Sequence, residues 1–219
     1  MAPALVREGR DAELGSTAEH FAEFDDEPMA PASIGQVHRA VLRDGRQVAV
    51  KLQYPGVAQA IRDDLANTEL VATFVRFATS ASGMVFDPRT RSHPFIRIPD
   101  VLPAACSDRI LTMTYLDGMD WAAAQQADQD LKSTWAEVIT RFSNGNIRHA
   151  NLLHADPHPG NYCFNPDSTV GFVDFGCVKI LSERMRRLWV TIARAAIDGR
   201  SDDLRDVLVQ AGFITAGSL

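Results

Sequence analysis

The sequence predicts an α+β fold of two lobes, a small β-rich N-terminal lobe followed by a mainly helical C-terminal lobe. Three observations point there. Two β-prone runs separated by Asp44-Gly45 stand early in the chain, long apolar-periodic stretches stand late, and a cluster of polar residues lies among short apolar pieces between them. With 219 residues, 46% hydrophobic and 23% charged, the chain has the balance of an ordinary globular protein and enough length for a substantial core.

Residues 1–27 are charged and Gly/Ala-rich, with Phe21 and Phe24 the only sizeable anchors, so a lead-in with at most one short helix is expected. The N-lobe is expected over 28–118. Within it, Val37–Leu42 and Gln47–Lys51 flank Arg43-Asp44-Gly45-Arg46, a hairpin signal that places Lys51 near the end of the second strand. Pro55-Gly56 then break the chain before an apolar-periodic helix over about 57–79, and 80–94 reads as a connector. A strand follows over Arg109–Tyr115, ending in the turn Leu116-Asp117-Gly118. The C-lobe is expected over 119–219. Leu131, Trp135, Val138, Ile139 and Phe142 recur at helical spacing, as do Met185, Leu188, Trp189 and Ile192, then Leu204, Val207 and Leu208; these stripes are read as helix cores. Leu152–Leu153 and Thr169–Val173 are the short apolar pieces around the polar cluster.

Composition excludes several classes. A net charge of -6, with no basic cluster interleaved with aromatics, argues against nucleic acid as a partner. Cys106, Cys163 and Cys177 show no CxxC spacing, which suggests neither a disulfide framework nor zinc, and a reducing, cytoplasmic setting is expected. No stretch reaches the roughly 18 apolar residues of a membrane span. The helical stripe in 65–77 leaves peripheral membrane contact open.

The chemistry is concentrated in His154-Ala-Asp-Pro-His-Pro-Gly-Asn161 and Asp174-Phe-Gly176. Asp156 and Asn161 stand at the Asp-to-Asn interval of a kinase catalytic loop, and Asp174 stands where such a chain places its metal-binding aspartate. Asn161 and Asp174 supply hard oxygen donors of the kind Mg²⁺ prefers, and Asp156 is a separate carboxylate able to orient or deprotonate an attacking hydroxyl. Upstream, Val48-Ala49-Val50-Lys51 matches the strand whose lysine contacts phosphates. Ala30-Pro31-Ala32-Ser33-Ile34-Gly35-Gln36-Val37 keeps the frame of a phosphate-covering Gly-rich loop, with alanine for its first two glycines. A Cβ limits φ > 0 there and holds the backbone further from phosphate, while backbone N–H groups and the Ser33 hydroxyl still offer an anion site. The strand-then-Gly pattern nominates Met113, Thr114 and Tyr115 as the hinge against a base.

Together Ala30–His38, Val48–Gly56, His154–Asn161 and Asp174–Gly176 resemble the UbiB (AarF-like) family of atypical kinases. The resemblance implies a shortened protein-kinase-like fold, ATP or ADP with Mg²⁺ as cofactors, and ATPase or small-molecule kinase activity. It also implies a link to isoprenoid-quinone or lipid metabolism, with a lipid or quinone precursor as a further partner. Two family features are missing from this sequence: an N-terminal Lys-x-Gly-Gln motif, and a Glu-x-Asp helix with a glutamate that pairs with the strand lysine. The second gap falls between Phe86-Asp87-Pro88-Arg89 and Ser92-His93-Pro94-Phe95, and Glu69 is the substitute acid the sequence offers. Three other readings stand beside this one: a nucleotide-sensing scaffold without phosphoryl transfer, an aminoglycoside-phosphotransferase-like kinase, and a metal-dependent hydrolase using His154, Asp156 and His158.

Overall fold

A computed structural model of the chain describes residues 3–15, 17–32, 35–54, 93–175, 178–215 and 217. The helix expected over 57–79, the connector up to 92, the stripe in 65–77, Glu69, Ser33, Ile34, Gly176 and Cys177 lie outside these residues.

The first half builds one sheet. Residues 1–27 are not a bare lead-in: they carry helix α1 (Pro3–Leu14), a short helical turn α2 (Thr17–His20) and strand β1 (Phe21–Phe24). β1 pairs antiparallel with β3 (Gly35–Leu42), which also pairs with β2 (Ala30–Ala32) and with β4 (Gln47–Gln53). The β3–β4 hairpin closes as its Asp-Gly predicts, with Gly45 at φ 85° and the Leu42 N–H donated to the Arg46 carbonyl at 2.9 Å. Lys51 is mid-strand, because β4 runs two residues further than expected. β6 (Ile110–Thr114) completes the sheet along β4, in the place expected for the third strand.

Register divides this sheet into two faces. Gln36, His38, Ala40, Val48, Val50, Leu52 and Ile110 face one way, and all are buried. Val6 of α1 and Phe21 of β1 join that core, which is why the N-terminal residues fold onto the sheet despite their polar composition. Glu13 at the end of α1 pairs with Arg109 at 2.6 Å and accepts from the Ser107 hydroxyl at 2.8 Å. Burial raises the Glu13 carboxyl, but these partners outweigh it and hold the group below its ordinary value.

The second half is mainly helical. A short turn α3 (Trp121–Ala124) precedes α4 (Gln129–Ala150), capped by Asp128, whose side chain accepts from the Leu131 N–H. Its C-terminus turns at Asn151, in the left-handed region at φ 57°. Trp135, Val138 and Phe142 bury the expected stripe against β8 (Tyr162–Phe164) and β9 (Val170–Phe172). β5 (Ile96–Arg97) lies parallel to β9, and β7 (Leu152–His154) pairs with β10 (Val178–Ile180). β1, β2, β5, β8 and β10 are two to four residues long, too short for alternation to register in the sequence.

The stripes of α5 (Glu183–Ile197) and α6 (Ser201–Gln210) depart from expectation. The helices form, but Met185 is exposed, Leu188, Trp189 and Ile192 are half-buried, and of α5 only Ala195 is fully covered. The two helices pack on one another, and the Trp189 indole donates to Asn144 of α4 at 3.4 Å. Among the described residues no helix is long and apolar enough to cross a membrane.

Candidate functional site

The sheet face opposite its core gathers most of the residues nominated upstream. Ala30 pairs with Val37, Val37 with Lys51, and Ala49 with Met113, so Ala30, Ala32, Val37, Ala49, Lys51 and Met113 share it. Gly35 sits where β3 crosses the end of β4, and a Cβ there would overlap the Leu52 carbonyl oxygen. That glycine answers to strand-on-strand contact as much as to any ligand. Gly35→Ala is expected to cost about 1–3 kcal/mol, read as a fall in the urea midpoint at unchanged slope. Gly9→Ala in α1, where a Cβ meets nothing within 4 Å, is the control and should be neutral or stabilising.

Two of the nominated residues, Gln36 and Thr114, turn their side chains to the other face. Gln36 pairs opposite Pro31 and Leu52 and is buried in the outer core, its Oε1 without a hydrogen-bond partner among the described residues. Thr114 turns its hydroxyl away to accept from the Asp100 N–H at 2.9 Å. Strand alternation decides both, since each is one residue out of phase with Val37 or Met113. The nominated hinge amides are also engaged: Thr114 donates to the Asp100 carbonyl at 2.8 Å and Tyr115 to the Gln47 carbonyl at 3.1 Å. The Tyr115 ring carries the Arg39 guanidinium at 4.7 Å. The next amide toward the second lobe is that of Leu116.

The catalytic-loop residues form around a short 3-10 turn, Pro159–Asn161, between β7 and β8. The Asn161 side-chain amide donates to both the carbonyl and the carboxylate of Asp156, each at 3.1 Å. The amide oxygen is then the Asn161 side-chain atom suited to meet a cation. The Val173 N–H donates to the Asn161 carbonyl at 3.0 Å, tying the loop to the strand that delivers Asp174. Burial pushes the Tyr162 phenol up, and the Asp156 charge adds to this.

Lys51 reaches across from β4 to Asp174, Nζ to Oδ2 at 2.9 Å, with the lysine side chain 15% exposed and the aspartate 22%. Residues 123 positions apart in the chain therefore meet as one ion pair. The arrangement sets a cation on Asp174 and ties the strand before Asp174 to the turn that holds Asn161 and a separate carboxylate, Asp156; the donor set fits Mg²⁺ better than a softer metal.

His154, nominated only as a metal ligand, has its Nε2 on the Asp174 backbone carbonyl at 2.6 Å. Its ring stands edge-on to Phe142 and Phe175, at 6.2 and 5.9 Å between centroids. A carbonyl only accepts, so Nε2 carries the proton and His154 fixes the backbone at Asp174. His158 caps its own turn, Nδ1 accepting from the Gly160 N–H at 3.1 Å. The HxDxH triplet thus points in separate directions, and among the described residues no three His, Cys, Asp or Glu side chains group as a metal site.

A strand lysine on a loop aspartate, beside an Asp/Asn catalytic loop, defines a kinase-like protein. The chain belongs to the ABC1 atypical kinase-like domain family, which matches residues 5–87 and 82–208. The two matched pieces meet near the stretch where the acidic helix was expected to be missing. The chain is 27% identical to the rat mitochondrial atypical kinase COQ8B over 232 aligned residues, covering 94% of this chain and 44% of that protein. It is 28% identical to yeast mitochondrial atypical kinase COQ8, covering 89% and 44%, and 27% identical to Arabidopsis thaliana chloroplastic ACTIVITY OF BC1 COMPLEX KINASE 1, covering 93% and 35%. The chain thus spans less than half the length of these relatives. Among solved structures, the Rv3197–erythromycin complex from Mycobacterium tuberculosis matches with a TM-score of 0.71 and 26% identity, covering all of this chain and 62% of that one.

Proposed function

We propose that this chain is a Mg-nucleotide-binding unit of an atypical kinase or ATPase that cleaves the terminal phosphate of ATP, in the service of isoprenoid-quinone or lipid chemistry. The Lys51–Asp174 contact carries the reading, because a lysine set beside an aspartate suited to a metal is what a polyphosphate with its cation requires.

In this reading Lys51 exchanges part of its contact with Asp174 for phosphate oxygens, while Asp174 and the Asn161 amide oxygen hold Mg²⁺. The cation, when bound, neutralises charge on the phosphates. Asp156, fixed by the Asn161 amide, orients the attacking hydroxyl or water and takes its proton. Ala30, Ala32, Ser33, Ile34, Gly35 and the Gln36 backbone cover the phosphates, and Val37, Ala49 and Met113 form the wall against the base. The hinge contact moves from Thr114 and Tyr115 to Leu116 and the residues after it. A nucleotide-sensing scaffold is the second reading, favoured by the absence from the sequence of the Glu-x-Asp helix expected between Phe86-Asp87-Pro88-Arg89 and Ser92-His93-Pro94-Phe95.

Calorimetry with and without Mg²⁺ on wild type and Asp174→Asn, followed by phosphate release on the same samples, tests this. Mg-dependent binding is expected in the wild type and a loss of at least tenfold in the variant, with release above background. Binding without release selects the scaffold. No binding in the wild type overturns both readings.

A further inference from the structure

We propose that His38 is an acid-operated latch: when its ring takes up a second proton, α1 comes away from the outer face of the sheet, the edge strand β1 unpairs from β3, and the β2–β3 hairpin loosens with them.

His38 lies in the middle of β3, the strand on which β1, β2 and β4 all pair, and its side chain is fully buried. Its Nδ1 meets the Asp25 carbonyl at 2.9 Å, and since a carbonyl only accepts, Nδ1 carries the ring's single proton. The other nitrogen, Nε2, is buried without a hydrogen-bond partner among the described residues. A second proton would therefore place an unpaired donor and a full charge in an apolar core, a cost that opening the core relieves.

The surroundings sharpen this. Phe24 of β1 stacks on the His38 ring at 5.4 Å, and the nearly buried Arg10 of α1 lays its guanidinium over Phe24 at 4.5 Å. A charged His38 would share that phenyl ring with a cation already present. The nearest acid, Asp26, is engaged by Arg7 at 2.7 Å and Arg10 at 3.5 Å. From β4 and β6 this face receives Val50 and Thr112, neither of which titrates. Burial pushes the ring below its ordinary value of 6.5; the Asp25 carbonyl and Asp26 oppose this, and Arg10 adds to it. The sign follows: docking is complete above about 6.5 and is lost as pH falls through the lower folded value.

The element that moves is held at one end by Val6 and the Glu13–Arg109 pair, and beside His38 by Phe24 and the Asp25 carbonyl. β1 pairs with β3 through a register shift between Phe21 and Glu23. Beyond it, Asp25 N–H donates to Arg39 and Met29 N–H to Val37, each at 2.9 Å, and β2 follows directly. Loss of the Asp25 and Phe24 contacts thus passes along β3 to Ala30 and Ala32. The effect on nucleotide rests on the function proposed above; the opening of the latch does not.

Hydrogen exchange of the full chain between pH 5 and 8, corrected for intrinsic rates, tests the latch, with α4 as internal reference. Protection of peptides within 3–29 is expected to fall by about tenfold per pH unit below about 6.5, while α4 stays unchanged. His38→Phe should abolish that dependence. Should His38→Phe fail to fold, the His38 ring resonances of the wild type, followed over the same pH range, must report the second proton where protection is lost. Flat wild-type protection down to pH 5 overturns the latch, as does an unchanged transition in a folded His38→Phe or a loss of protection while the ring still carries one proton. Nucleotide titration at pH 7.5 and 5.5 separates the two levels: weaker binding at the lower pH supports the coupling, equal binding overturns it, and no binding at either pH removes only the nucleotide reading.

Discussion

Asp156→Asn is expected to lower phosphate release by about 10²- to 10⁴-fold while changing nucleotide affinity by no more than a few-fold. The substitution keeps the shape of the side chain and an oxygen able to accept from the Asn161 amide, now 3.1 Å from the carboxylate. What it removes is the capacity to take a proton. Asp174 and Lys51, 2.9 Å apart, are left to hold the nucleotide as before. Single-turnover release measured beside calorimetry separates the outcomes. A parallel loss of affinity and rate would make Asp156 part of the binding site, and unchanged release would exclude it as the base.

Phe142→Ala is expected to cost about 3–5 kcal/mol, a large share of the roughly 5–15 kcal/mol that holds a domain together. The ring is 1% exposed and stacks on Phe172 of β9 with centroids 3.7 Å apart. Its edge also backs His154, which fixes the Asp174 carbonyl. The loss should therefore appear first as a lower urea midpoint. It should also appear as weaker Mg-dependent nucleotide binding under conditions where circular dichroism still reports a folded chain. Phe142→Leu, which keeps most of the buried volume, should recover more than half of the stability. A cost below about 1.5 kcal/mol would mean that the neighbouring rings close the cavity.

The order of elements and the polar cluster were legible in the residues alone because their signals are local. Asp44-Gly45 makes its turn from two residues, the α4 stripe repeats at 3.6, and Asp156, Asn161 and Asp174 lie within one stretch. Strand phase was legible for Val37, Ala49, Lys51 and Met113. The same alternation places the Gln36 and Thr114 side chains on the opposite face.

The N-terminal residues could not be read in the same way. α1 offers few apolar anchors, and its place is decided by Val6, Arg10 and Glu13 finding partners on β1, β3 and the Ser107–Arg109 turn. The α5 stripe failed for the converse reason: periodicity foretells a helix with an apolar face, while burial of that face depends on what packs against it.

By itself, then, the sequence determined the chemical types at the cleft, the hairpin that carries Lys51 and the helix that carries Phe142, because each depends on neighbours in the chain. Only the tertiary structure decided that Lys51 meets Asp174, that His154 holds the Asp174 backbone and that His38 is sealed beneath α1 and β1. Those contacts join residues far apart in sequence, and their energies arise from desolvation and pairing that exist only once the chain has closed around them.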